Sequence, residues 1–196
     1  MKDVMYDYQT MLGTIALIVG IVGYIPYIRD TLNGTTKPHP FTYLIWALIG
    51  AITFIAQLVN NAGPGAWAMS IPVLFGIIIA ALSIKMGERT LTRRDWLCLA
   101  GALVAIVIWR LTNDAFYAVI IVITINTLAF IPTFSKAYGK PHEETVSSYA
   151  LGVLRSLISV PALAAFNVVT LLPLVHHILI NVIFVAMLVI RRRILR

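Results

Sequence analysis

Residues 38–84 read PHPFTYLIWALIGAITFIAQLVNNAGPGAWAMSIPVLFGIIIAALSI, and none of these 47 residues is Asp, Glu, Lys or Arg. A helix crosses the hydrocarbon core of a bilayer with about 20 apolar residues, so this stretch has the length of two spans. Near its middle, the sequence NNAGPG at residues 60–65 is typical of a turn. The stretch therefore predicts two transmembrane helices joined by a short connection.

The rest of the chain has the same character. Further apolar runs cover residues 8–28, 96–109, 115–135, 146–165 and 171–190. Of the 196 residues, 60% are hydrophobic and 12% are charged, about half the charged fraction of a soluble domain. The runs are apolar on every face, whereas the strands of a membrane β-barrel alternate apolar and polar residues. The sequence therefore predicts an all-α polytopic membrane protein with seven transmembrane helices.

Basic residues are divided unequally between the two sides of this predicted bundle. Seven spans place twelve of them in one set of loops and two, Lys2 and Arg110, in the other. The twelve are Arg29, Lys37, Lys85, Arg89, Arg93, Arg94, Lys136, Lys140, Arg191, Arg192, Arg193 and Arg196. Because basic loops stay in the cytoplasm, we predict a multi-pass protein of the plasma or inner membrane with its N-terminus outside and its C-terminus cytoplasmic. The net charge of +7 then reflects topology and contact with anionic lipid headgroups at the cytoplasmic face, and no nucleic-acid partner is expected.

An internal repeat is present at low identity. Tyr24-Ile25-Pro26 recurs as Phe130-Ile131-Pro132, and the offset of 106 residues brings helices 1, 2 and 3 onto helices 5, 6 and 7 without a gap. Helix 4 has no counterpart. We predict two parallel three-helix bundles, residues 1–90 and 114–196, joined by a linker helix in residues 91–113. Parallel repeats about an axis along the membrane normal are a transporter architecture.

This pattern resembles a known superfamily. Each copy has a helix ending in a proline, then a basic loop, then an aromatic-rich second helix, as in the PQ-loop/SWEET-like superfamily. This superfamily includes the SWEET sugar transporters, and cystinosin-type exporters and the KDEL receptor share its architecture. The resemblance covers almost the whole chain, although Pro26-Tyr27 and Pro132-Thr133 stand where the family has Pro-Gln. The segment from Lys37 to Trp46 also resembles a bacterial group of small membrane proteins of unassigned function.

The resemblance implies that Pro26 and Pro132 are hinges of alternating access, since proline removes a helical hydrogen bond. The alternative is that the two prolines only end their helices. Tyr43 and Tyr149, which the repeat pairs, are the predicted gate.

Six residues form the predicted substrate-binding set: Trp46, Phe75, Asn126, Gly152, Arg155 and Asn181. The resemblance implies stacking on Trp46 and a hydrogen bond from Asn181. The repeat pairs Trp46 with Gly152, which leaves space opposite the ring, and Phe75 with Asn181. The alternatives are that Trp46 is a packing or interfacial aromatic and that Asn126 and Asn181 make inter-helix hydrogen bonds.

Arg155 is the most informative charge, because it lies about eight residues into helix 6 and no acidic residue occurs within any predicted span. It needs backbone carbonyls, Asn or Tyr side chains, or an anionic ligand. A structural or lipid-headgroup role is the alternative. His176 and His177 are adjacent and point in different directions on a helix, so no metal site is expected.

These features favour a small-solute carrier with a midplane site between the repeats. Without an intramembrane carboxylate, facilitative transport is the simpler mechanism. The alternative is a non-transporting membrane receptor or accessory protein on the same architecture. Neither an enzyme nor a cofactor is expected, and a homo-oligomer is compatible with the sequence.

Overall fold

The chain is all-helical. The computed structural model describes residues 2–38, 40–87, 93–112 and 114–195, and these ranges contain helices and no strand. In chain order the elements are α1 (Lys2–Leu32), α2 (Pro40–Val59), a 3₁₀ segment (Gly63–Met69), α3 (Ser70–Met86), α4 (Arg93–Thr112), α5 (Ala115–Gly139), a short 3₁₀ turn (Pro141–Glu143), α6 (Val146–Ser159) and α7 (Val168–Ile194). The predicted all-α class is confirmed for these residues.

Several helices are long and apolar enough to cross a membrane. Within the described residues these are Asp7–Leu32, Thr42–Val59, Gly63–Met86, Ala115–Gly139 and Val168–Ile194. The described parts of α4 and α6 do not reach the same length and apolarity. Length and composition in the structure therefore support five of the seven predicted spans.

The structure corrects the end of predicted helix 6. The apolar run extends to residue 165, but α6 ends at Ser159. Pro161 follows two residues later and lacks the N–H that would bond to the carbonyl of Leu157, which removes one helical hydrogen bond at this end. Asn167 then starts α7 with a capping box, in which its side chain accepts from Thr170 N at 3.1 Å.

The two prolines of the predicted hinges lie inside helices rather than at their ends. α1 continues from Pro26 to Leu32, and the backbone of α5 continues through position 132 to Gly139. The side chain of Pro132 itself lies outside the described part of the structure, as do the side chains of Arg89, Arg94, Arg110 and Arg196. Ending a helix is therefore not the role of Pro26.

The helices run alternately between two ends of the bundle. At one end, which we call the basic end, α1, α3, α5 and α7 finish and α2 and α6 begin. Contacts there include Lys136 Nζ to Lys37 O at 2.9 Å and Thr145 Oγ1 to Asp30 Oδ2 at 2.9 Å. At the far end, Gln9 Nε2 donates to Leu163 O at 2.9 Å. Since α3 finishes at the basic end and α5 begins at the far end, α4 connects the two.

Helix contacts define a ring of neighbours. α1 packs on α6 and α3, α2 packs on α3 and α5, and α7 packs on α5 and α6, whereas α4 lies against α2 and α5. Glycine allows α1 to approach α6 closely, because a Cβ on Gly20 would lie 2.9 Å from Arg155 Cδ and one on Gly23 would lie 3.1 Å from Leu151 Cβ. This close contact places the aliphatic part of the Arg155 side chain against α1 at Gly20.

Candidate functional site

A cavity of about 140 Å³ lies among the helices. Its wall takes residues from α1, α2, the 3₁₀ segment, α3, α5, α6 and α7, and no described residue of α4. One water needs roughly 10–15 Å³ by the same kind of measure, so the space accommodates a small solute. The cavity is the candidate functional site.

Aromatic side chains form the half of the cavity nearest the basic end. Tyr27, Tyr43 and Tyr149, here called the tyrosine cluster, are all buried, with ring centroids 5.3 Å apart for Tyr27–Tyr43 and 6.4 Å for Tyr27–Tyr149. Trp46 lies one turn further along α2, and its ring centroid is 5.1 Å from Tyr43 and 5.0 Å from Phe130. These rings line the cavity toward the basic end.

A buried carboxylate lies behind the tyrosine cluster. Glu144 is 4% exposed, and it accepts from Tyr149 Oη at 2.9 Å and from Lys136 Nζ at 3.3 Å. Arg192 Nη2 fixes the same segment through a hydrogen bond to Glu144 O at 2.6 Å. Burial raises the pKa of Glu144 above its ordinary value, although Lys136 and the Tyr149 hydroxyl oppose this shift. The predicted gate residue Tyr149 is therefore tied to a titratable group.

Arg155 occupies the other half of the cavity and is 3% exposed. Its Nη1 donates to Ala68 O of the 3₁₀ segment at 3.2 Å, and its Nη2 lies 3.3 Å from His177 Nε2. An arginine can only donate, so Nε2 of His177 is an acceptor and the proton of a neutral imidazole is on Nδ1, 3.0 Å from Ser156 Oγ. The guanidinium thus points toward the far end, away from the basic loops.

The structure brings five of the six predicted substrate-binding residues into the cavity wall: Trp46, Asn126, Gly152, Arg155 and Asn181. Phe75 lies outside this wall and instead stacks on the wall residue Tyr24, with centroids 4.8 Å apart. The Nδ2 of Asn181 donates to His177 O at 2.8 Å, which is an interaction within α7 rather than between helices. Tyr43 and Tyr149 also line the wall, whereas Pro26 does not.

Several residues of this site were not predicted from the sequence. Tyr24 and Tyr27 line the cavity beside Pro26, and Ser148 lines it on α6. Tyr24 and Tyr27 flank the repeated Ile-Pro motif and carry polar hydroxyls within an apolar run, which was an available signal. Glu144 gave no such signal, because a loop acid next to Glu143 is ordinarily solvated.

The two adjacent histidines face different neighbours. His176 Nε2 lies 2.9 Å from Thr127 Oγ1 on α5, whereas His177 contacts α6. Within the described ranges, no group of three or more His, Cys, Asp or Glu residues is placed to hold a metal ion.

Comparisons with known proteins add no identification, since no family model, no curated protein and no solved structure matches the chain.

Proposed function

We propose that the protein is a small-solute carrier of a cell membrane, which exposes its central cavity to the two sides in turn. The observation that carries this proposal is the cavity, because its wall is shared by six α-helices and is lined by aromatic rings toward the basic end. Sites formed between helices near the bilayer midplane are characteristic of carriers. The proposal includes seven spans, an external N-terminus and a cytoplasmic basic end.

The helix contacts support the proposed repeat of three, one and three helices. Under the offset of 106 residues, the α1–α6 contact corresponds to the α5–α2 contact. In the same way, α2–α3 corresponds to α6–α7, and α1–α3 corresponds to α5–α7. A pseudo-twofold axis along the membrane normal produces such paired contacts. The cavity lies where the two proposed units meet, and α4 joins them from outside.

The tyrosine cluster is the proposed gate at the basic end, and Pro26 is a proposed hinge. Opening this end requires separating Tyr43 on α2 from Tyr149 on α6, together with their contacts to Tyr27. Pro26 is one residue from Tyr27 and lacks the N–H that would bond to Val22 O. Bending α1 at this point moves the cluster without unfolding the helix.

Transport by purified protein in liposomes tests the proposal. Solutes from sugars, nucleosides, amino acids and organic anions are first screened for thermal stabilisation of the protein, and those that stabilise it are then assayed for flux. We expect Gly152→Leu to abolish flux, because a Cβ there points at His177 Cε1 only 3.3 Å away and the rest of the leucine enters the cavity. Gly139→Leu is the matched control, since a Cβ at this helical glycine meets no atom within 4 Å.

Two results would contradict the carrier. The first is normal flux through a folded Gly152→Leu variant. The second is a solute that binds in the cavity of the wild type but never crosses the liposome membrane, and this result would favour the receptor or accessory role.

A further inference from the structure

The cavity wall contains hydrogen-bonding atoms that have no partner. Five buried side-chain nitrogen or oxygen atoms of the described residues lack a hydrogen bond, and three of them belong to cavity-lining residues: Trp46 Nε1, Ser148 Oγ and Arg155 Nε. Buried polar groups are nearly always satisfied, so each of these atoms needs a partner, which ordered water or a ligand in the cavity can supply. Two of the three are N–H groups, which can only donate.

The charge of Arg155 is also uncompensated. Of its five N–H donors, the structure accounts for one to Ala68 O and one to the lone pair of His177 Nε2, both neutral acceptors. No acidic side chain forms an ion pair with it among the described residues, whose ion pairs lie at the basic end. A buried charge without a counter-charge is costly, and an anionic ligand would remove this cost.

The two ends of the cavity differ in the side chains that line them. Tyr43, Trp46 and Tyr149 line it toward the basic end, whereas Arg155 and His177 line it toward the far end. On α6, Tyr149 and Arg155 are six residues apart, which corresponds to a rise of about 9 Å. The side chains of both residues line the same cavity, so one small molecule with a ring and a charged group can contact both ends.

We propose that the cavity binds a small planar organic monoanion, with its carboxylate at the Arg155 guanidinium and its ring against Trp46 and the tyrosine cluster. This inference rests on the proposed carrier function and names its substrate class. Among the described residues of the wall, Arg155 is the only Lys or Arg, and His177 accepts from it and is neutral, so one negative charge balances the site. Trp46 Nε1 and Ser148 Oγ remain for an acceptor group on the ring.

Benzoate and benzamide test the proposal as a matched pair, since they share the ring and nearly the same shape but differ in charge. Calorimetric titration uses the full-length protein in detergent. We expect benzoate to bind at least about tenfold more tightly than benzamide, as hydrogen bonds to charged groups are stronger than neutral ones. Arg155→Gln should remove this preference. Arg191→Gln should retain it, because that arginine lies over Tyr138 outside the cavity.

The outcomes separate the inference from the carrier function. If the wild type binds benzamide as tightly as benzoate, or if a folded Arg155→Gln variant keeps the preference, the anion site is wrong even where a neutral solute is transported. If chloride displaces benzoate at equal concentration, the aromatic part of the proposal is wrong. If Arg155→Gln does not fold, the comparison of benzoate with benzamide on the wild type still tests the anion site. Benzoate that binds with the expected preference but shows no liposome flux supports the site and contradicts the carrier.

Discussion

The hydrogen bond from Tyr149 Oη to Glu144 Oε2 can be removed with little change in shape by Tyr149→Phe. Both residues are buried, at 7% and 4% exposure, so solvent does not screen the interaction. A hydrogen bond to a charged group contributes roughly 1.5–3 kcal/mol. At about 1.4 kcal/mol per factor of ten, its loss should raise the ratio of open to closed states of the proposed gate by about 10- to 100-fold.

The same contact predicts a pH dependence. In the closed gate, burial raises the pKa of Glu144, whereas opening would hydrate the carboxyl and return its pKa toward the ordinary value. The closed state therefore binds the proton more tightly, and acid favours closure. As the pH rises from the ordinary glutamate pKa through the raised one, the open population should increase, and above both values it should level off. Glu144→Gln should be independent of pH in this window.

The rate of cysteine labelling measures how often the proposed gate is open. Cys98 is replaced by alanine, Thr53 in the cavity wall is replaced by cysteine, and an impermeant reagent is added from the side of the basic end. Tyr149→Phe should accelerate labelling by about the factor given above, and Tyr117→Phe is the control, since this tyrosine is 52% exposed. Unchanged labelling in Tyr149→Phe, or an unaltered pH profile in Glu144→Gln, would refute the assignment of this contact to the gate.

Three further predictions concern the hinge, the packing and the topology. Pro26→Ala should restore a helical hydrogen bond, leave expression and monodispersity unchanged and slow solute exchange. An unaltered exchange rate would contradict the hinge role of Pro26. Gly65→Ala should lower the midpoint of thermal unfolding by an amount corresponding to about 1–3 kcal/mol, because its Cβ would lie 2.7–2.9 Å from side-chain and backbone atoms of Leu163, whereas Gly139→Ala should not. A cysteine at Asn61 should react with an impermeant reagent outside intact cells and one at Lys85 should not, and the reverse pattern would invert the proposed orientation.

Local sequence signals predicted most of the helices. The charge-free run with NNAGPG at its centre defined α2 and α3, because both the turn and the apolar length are encoded locally. The end of α6 was placed too late, since apolarity continues past the point where Pro161 interrupts the helix. Hydropathy detects burial in lipid or protein but does not detect the loss of one backbone donor.

The candidate site was only partly predictable. The offset of the repeat indicated Tyr43 with Tyr149 and Trp46 with Gly152, and all four line the cavity. The partners of Arg155 were not predictable, because Ala68 O becomes available only through the 3₁₀ segment, 87 positions away in sequence. Glu144 lies in the loop before α6, and its burial depends on the packing of Tyr149 and Lys136 around it. Such long-range contacts leave no periodic trace in the sequence.

The short α6 has a consequence for the thickness of the protein within the bilayer. Its 14 residues rise about 21 Å, whereas the hydrocarbon core is about 30 Å thick. In the proposed seven-span topology, residues 160–167 lie at hydrocarbon depth without regular structure, and backbone there cannot face lipid. The protein supplies partners instead, through Gln9 Nε2 to Leu163 O and through Ala164 N to Ala62 O, both at 2.9 Å. Under the proposed topology we therefore expect a shorter apolar surface beside α6, and a mismatch of this kind thins the bilayer locally.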